Sequence, residues 1–87
     1  MGETFSTCDI VLASTLLTLK FPVLDYEIEY RGSKTNSTTY FLFEDSARFQ
    51  DAKMKITNKL VTVEPYTFHS NLRMLKSQIR NFQDRRT

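Results

Sequence analysis

The chain has 87 residues, of which 40% are hydrophobic and 25% are charged, and its formal net charge is +2. This length corresponds to one domain, and the composition is typical of a globular protein rather than of a disordered or fibrous one. A single Cys and a single His exclude an intramolecular disulfide and the usual structural zinc sites. Two Gly and two Pro are too few for a glycine-rich phosphate loop or a proline-rich linker.

The hydrophobic segments are short. The apolar run at residues 10–13 is far below the ~20 residues that a membrane-spanning helix needs. The first residues, Met1, Gly2 and Glu3, lack the basic region of a secretory signal. We therefore expect a cytoplasmic protein with no membrane association.

The first predicted element is a helix that begins at Ser6 and ends near Lys20. Ser6 and Asp9 have the spacing of a capping box, in which the hydroxyl and the carboxylate both bind orphan amides. Pro22 disfavours helix at the residue before it. In this helix Cys8 would lie in the first turn as a small buried residue. Apolar residues recur at helical spacing at Ile10, Leu12, Ala13, Leu16, Leu17 and Leu19.

Alternating polarity then predicts a β-hairpin. Residues 24–30 alternate between apolar and mostly acidic side chains, which is the pattern of a strand with one buried face. Residues 31–37, with Gly32 and Asn36, are predicted as the hairpin loop. Residues 38–43 are rich in strand-forming types. Because so short a connection cannot form a parallel crossover, the two strands are predicted to be antiparallel.

A second helix and a short third strand are predicted next. Asp45 or Ser46 is the expected N-cap of the helix, and Asn58 is its expected end. The apolar stripe of this helix consists of Phe49, Ala52 and Ile56. Residues 60–63 are too few to form a further helix, and three of the four are β-branched. They are therefore predicted to form a short third strand.

The last helix has the clearest periodicity of the chain. Pro65 suits its first turn, and residues 84–87 are expected to fray. Its apolar seam consists of Phe68, Leu72, Leu75, Ile79 and Phe82. Of these, Leu72, Leu75 and Ile79 are expected to be buried against the sheet and the first helix. The predicted order is α-β-β-α-(β)-α. This order is typical of one small α+β domain, with an antiparallel sheet covered by helices.

Several segments resemble a small uncharacterised family of prokaryotes and phages. That family begins with a Thr/Ser-x-Asp-Leu-x-Leu-Ala helix, similar to residues 6–13 here, and continues through an aromatic strand ending in Phe-x-Asp, similar to residues 41–45. It closes with a Val-x-Pro-x-x-Phe segment and a Leu-x-x-Leu-Lys helix, similar to residues 63–68 and 72–76. Cys8 and a longer loop around Lys34 depart from the family. The resemblance implies the fold and a prokaryotic or viral source, and it implies no catalytic residue.

Charge is divided unevenly along the chain, with a formal −4 over residues 1–45 and +6 over residues 46–87. On the last helix, basic residues repeat the spacing of the seam one residue later, about 100° around the helix. They are His69, Arg73, Lys76 and Arg80, extended by Arg85 and Arg86, and Lys53, Lys55 and Lys59 of the second helix can add to them. Such a stripe suits phosphates or an acidic protein surface, and the alternative interpretation is a solvated helix face.

The first strand of the hairpin carries a second charged group. Asp25, Glu27 and Glu29 point the same way at intervals of ~6.5–7 Å. They are predicted to form a solvated face, with docking on a basic partner as the alternative. Pairing with the basic helix inside the fold is a further alternative. A metal site is the least favoured interpretation, because ligands from one strand rarely converge.

No arrangement of residues indicates catalysis. Cys8 has no paired base in the sequence, and a hydroxyl nucleophile also needs a positioned base. We therefore expect a non-enzymatic binding domain without a cofactor or metal. One hypothesis is that the basic C-terminal helix docks on nucleic acid or a nucleoprotein complex. The alternative is a protein–protein regulator, such as a phage or mobile-element inhibitor of a host protein complex (anti-defence type), which contacts its target through the acidic hairpin face and exposed aromatics.

Overall fold

The structure of the protein, a computed structural model, describes residues 3–30 and 37–84, with side chains as far as residue 81. The element order is β1 (Glu3–Thr7), α1 (Ile10–Thr18), β2 (Asp25–Tyr30), β3 (Ser37–Asp45), α2 (Ala47–Thr57) and α3 (Pro65–Asp84). This is the predicted α+β class. The predicted hairpin loop falls mainly in residues 31–36, outside the described residues, as do Arg85, Arg86 and the end of the segment expected to fray.

The sheet is antiparallel throughout, with the strand order β1-β3-β2. Phe5 pairs with Phe43, and Tyr26 pairs with Phe41. Because directly opposed residues share a face, these four aromatics lie on one side of the sheet. That side faces the helices, since Phe41 and Phe43 belong to the same buried cluster as residues of all three helices. The other side has no helix packed on it within the described residues, and we call it the open sheet face.

The predicted helix start at Ser6 is wrong, because residues 3–7 form the edge strand β1. The helix begins four residues later, with Asp9 as its N-cap. The Asp9 carboxylate accepts hydrogen bonds from the backbone N–H groups of Val11, at 3.0 Å, and Leu12, at 3.2 Å. Pairing with β3 satisfies the backbone of this segment and places Phe5 against the core, which outweighs the local capping signal of Ser6.

Cys8 lies between β1 and α1, before the N-cap of α1. Its side chain is exposed, so the prediction of a small buried residue is also wrong. The reason is the same shift of the helix start, which removes Cys8 from the first helical turn. In the described residues no hydrogen bond joins it to His69.

The predicted strand at residues 60–63 is also wrong, because this segment is irregular. Both edges of β3 are already taken by β1 and β2, so the segment has no central strand to pair with. Val61 and Val63 are nevertheless half-buried. Val61 lines a depression together with Leu19 and Phe21, so this part of the segment lies beside the end of α1 without forming a strand.

The two boundaries of α2 agree with the sequence. Ser46 is the N-cap, with its hydroxyl accepting a hydrogen bond from the Phe49 N–H at 3.1 Å, and Asn58 is the C-cap. The next residue, Lys59, has a φ of 61°, and Lys20 after α1 has a φ of 76°. Both helices thus end in the left-handed region that usually favours Gly, which costs a residue with a Cβ about 1–2 kcal/mol.

The core is small. Its fully buried apolar residues are Ala13, Leu16, Phe41, Phe43, Phe49 and Leu75. α3 packs mainly against α1, and its seam reaches the core cluster shared with the sheet through Leu75 and Ile79. Leu72 and Ile79 are half-buried, and the side chain of Phe82 lies outside the described residues. No helix in the described part of the chain is both long enough and apolar enough to cross a membrane.

Candidate nucleic-acid interface

The start of α3 is fixed by Pro65 and by the residue before it. The Glu64 carboxylate accepts hydrogen bonds from the Tyr66 N–H at 3.0 Å, the Thr67 N–H at 2.7 Å and the Thr67 hydroxyl at 2.6 Å. These bonds, with that from the Thr67 hydroxyl the largest cause, hold the pKa of Glu64 below its ordinary value. Glu64 therefore acts as an ionised cap on the helix.

A side-chain hydrogen bond between α1 and α3 fixes the orientation of α3 about its own axis. The Asn71 side-chain amide donates to the Thr18 hydroxyl at 3.0 Å, and this hydroxyl donates to the Ser14 carbonyl at 2.7 Å. Asn71 precedes the seam residue Leu72, whereas the basic residues follow the seam by one position. Around the axis of α3, the seam therefore lies between Asn71, which contacts α1, and the basic residues. The basic residues consequently point away from α1.

The basic residues of α3 are all exposed: His69, Arg73, Lys76 and Arg80. We call this set the α3 basic face. At 1.5 Å per residue it extends for ~16 Å along the helix. Within residues 3–30 and 37–81, no member of the set forms an ion pair with a carboxylate. Arg73, Lys76 and Arg80 line an open depression of about 350 Å³ together with Ser77.

The lysines of the second helix have different surroundings. The Lys53 ammonium lies 4.1 Å from the centre of the Phe5 ring. Lys55 pairs with Asp51 at 3.1 Å, one turn earlier on the same helix. Lys59 is exposed in the left-handed turn after α2. No described contact connects these lysines with α3, so the α3 basic face is the coherent part of the predicted set.

The acidic residues predicted on the first strand of the hairpin lie on the open sheet face. Asp25, Glu27 and Glu29 are exposed on β2, opposite Leu42, Tyr40 and Thr38 of β3. Glu44 of β3 belongs to the same face, since it pairs with Thr4 while the flanking pairs face the core. The Tyr40 hydroxyl donates to the Glu29 carboxylate at 3.2 Å. An open depression of about 500 Å³ lies beside Glu27, Glu29 and Tyr40.

The acidic and basic groups do not neutralise each other in the described structure. The acidic side chains point away from the helices, whereas α3 belongs to the helix layer. Among the described residues, no ion pair joins the α3 basic face to β2. The described part also holds no group of three or more His, Cys, Asp or Glu side chains arranged for a metal ion.

Two residues of these surfaces were not predicted from the sequence. Tyr66, at the start of α3, is 83% exposed, and Glu44 completes the acidic group on the open sheet face. Helical periodicity in the sequence could have identified Tyr66, because it precedes Arg73 by seven residues and so lies on the same side of α3. Glu44 is assigned to its face only by the strand register.

Comparison of the chain with family models, curated proteins and solved structures gives no match. The resemblance to a small prokaryotic and phage family therefore stays a prediction. The roles of the residues in this chain rest on their own geometry and chemistry.

Proposed function

We propose that the protein binds nucleic acid by contacting phosphates through the α3 basic face. The observation that carries this proposal is the alignment of His69, Arg73, Lys76 and Arg80 on one exposed side of a single helix, without ion-pair partners in the described structure. A cation already paired with a carboxylate has less to gain from a phosphate. Guanidinium groups also bind phosphate oxygens in a bidentate manner, which suits Arg73 and Arg80 to this role.

The expected binding is governed by the backbone of the nucleic acid. Phosphate contacts release condensed counterions, and they contain no base information. The proposed contact is therefore salt-sensitive and has little sequence preference.

The test is a triple charge reversal, Arg73→Glu, Lys76→Glu and Arg80→Glu. Glu preserves helix propensity, and all three side chains are exposed, so we expect little change in the melting temperature. Affinity for labelled oligonucleotides at low salt should fall by about two orders of magnitude or more. A parent protein that binds neither DNA nor RNA at low salt would refute the proposal.

A matched pair of variants separates the α3 basic face from net charge. Arg73→Glu with Lys76→Glu on α3, and Lys55→Glu with Lys59→Glu on α2 and the turn after it, change the formal charge equally. We expect the first pair to reduce affinity strongly and the second pair to leave most of it. Equal losses would show that total charge, rather than this face, governs binding.

The open sheet face supports a second candidate function, the binding of a protein with a basic surface. Asp25, Glu27, Glu29 and Glu44 lie together on a side of the sheet that the described helices leave uncovered. Glu27→Lys with Glu44→Lys should then abolish capture of a protein from nuclease-treated lysate, whereas the triple variant of α3 retains it. Loss of the captured protein in the α3 variant alone would argue against this candidate.

A further inference from the structure

Tyr66 presents a large aromatic ring to solvent at the N-terminal end of α3. Its side chain is 83% exposed, the highest value among the exposed large hydrophobic residues of the described chain. Its backbone N–H donates to the Glu64 carboxylate. Within the described residues the ring has no hydrogen bond, ring contact or cation contact. The fold therefore gives no reason for an aromatic residue at this position.

Tyr66 belongs to a row of residues on one side of the helix. Seven residues separate Tyr66 from Arg73, and seven more separate Arg73 from Arg80. Seven residues are close to two turns, so the three side chains lie within ~40° around the helix at intervals of ~10.5 Å along its axis. The exposed ring thus stands at one end of the α3 basic face. Glu64, the nearest acidic neighbour in sequence, is occupied with the helix cap.

We propose that the α3 basic face takes single-stranded nucleic acid, with Tyr66 stacking on an unpaired base while Arg73 and Arg80 contact the backbone. This inference rests on the function proposed above and defines its ligand class. In a duplex the faces of the bases are covered by their neighbours, so an exposed ring beside the phosphates gains little. In a single strand the base faces are accessible, and the combination of cations with an aromatic platform is how sequence-tolerant proteins bind such strands.

The experiment compares one labelled oligonucleotide, single-stranded and annealed to its complement, at the same low salt concentration. The parent protein should bind the single strand more tightly than the duplex. Tyr66→Ala should weaken single-strand binding about 5- to 160-fold, the range that corresponds to the loss of one stacked base, and should leave duplex binding unchanged. Tyr66→Phe keeps the ring and should retain parental affinity. Since the side chain is exposed, circular dichroism and melting should show that both variants fold like the parent.

Tyr30→Ala serves as the matched control, because it removes a tyrosine that is also exposed, at 53%, but that lies on β2 rather than on α3. It should not alter the preference for the single strand. If the parent binds both ligands equally and Tyr66→Ala alters neither, while the triple variant of α3 loses both, the single-strand inference is overturned and the proposed function stands. If the parent binds neither ligand, both are overturned.

Discussion

The α3 basic face and the acidic open sheet face are held by the fold in different ways. The acidic residues stand mainly on β2, a strand bonded to β3 and backed by the aromatic core. The basic residues stand on α3, which packs mainly against α1 and has Leu75 as its fully buried side chain in the described residues. The acidic surface is therefore part of the sheet, whereas the basic surface depends mainly on the packing of α3 against α1.

The two surfaces also differ in their hydrogen bonds. Asp25 accepts from the Tyr26 N–H at 2.8 Å, and Glu29 accepts from the Tyr40 hydroxyl at 3.2 Å. In the described structure the basic side chains of α3 have no carboxylate partner. Opposite charges placed on opposite layers cannot cancel at short range. Within the described structure, two of the four acidic side chains thus already accept a hydrogen bond, whereas the charges of the α3 basic face are not paired.

The largest expected effect comes from detaching α3. Leu75→Ala removes its fully buried side chain and should destabilise the protein by about 2–5 kcal/mol, a large part of the stability of a small domain. Leu72→Ala, at a half-buried position of the same seam, should cost less. The measurement is urea denaturation followed by circular dichroism. A Leu75→Ala variant as stable as the parent would show that this seam does not anchor the helix.

A smaller effect is expected at the start of α1, the helix that supports α3. Asp9→Ala removes the N-cap and should cost about 1 kcal/mol. Ser6→Ala changes an exposed strand residue and should have little effect on the free energy of unfolding. Thermal denaturation of the two variants checks the order. A larger loss for Ser6→Ala would contradict the position of the cap.

Local signals in the sequence predicted much of the helix layer and the hairpin. Ser46, Asn58 and Pro65 define helix ends through short-range chemistry that acts within a few residues. Asn58 and Pro65 were predicted, and Ser46 was one of the two predicted N-caps. The alternation before residue 31 likewise predicted β2. The placement of His69 and Arg73 on one side of α3 follows from helical periodicity alone.

The predictions from the sequence failed where the structure depends on pairing between strands that are far apart in the chain. β1 pairs with β3, almost forty residues further along the chain, and no local pattern records that contact. In isolation, the spacing of Ser6 and Asp9 is equally suited to a helix start. Residues 60–63 have the composition of a strand, but the central strand β3 is already paired on both edges. The membership of Glu44 in the acidic face depends on the same register, which explains why it was not predicted.

A gain of stability is expected where α2 ends. Lys59→Gly relieves the left-handed conformation, although Gly also increases the entropy of the unfolded chain, so the net stabilisation should be at most about 1 kcal/mol. Lys59→Ala keeps a Cβ and should not stabilise the protein in this way. Thermal melting measures the difference. A clear loss of stability on Lys59→Gly would contradict the left-handed geometry.

The smallest effect concerns the cap of α3 and depends on pH. Because the folded-state pKa of Glu64 is lowered, its contribution to stability is present above the unfolded pKa and is lost as the pH falls through the folded pKa. Glu64→Gln should reduce stability at neutral pH, and the difference from the parent should shrink on acidification below about 4. Carboxylate titration by NMR should place the Glu64 midpoint below that of an ordinary glutamate. An ordinary or raised midpoint would contradict the cap.

The most direct test of the α3 basic face is the salt dependence of nucleic-acid binding by the parent and by its Arg73→Glu, Lys76→Glu, Arg80→Glu variant. If these three side chains contact phosphates, the logarithm of the association constant should fall with the logarithm of salt concentration with a slope of about −2 to −3. The slope of the variant should lie near zero. A parent affinity that does not change with salt, or the same steep slope in both proteins, would contradict the proposal that this face binds the nucleic-acid backbone.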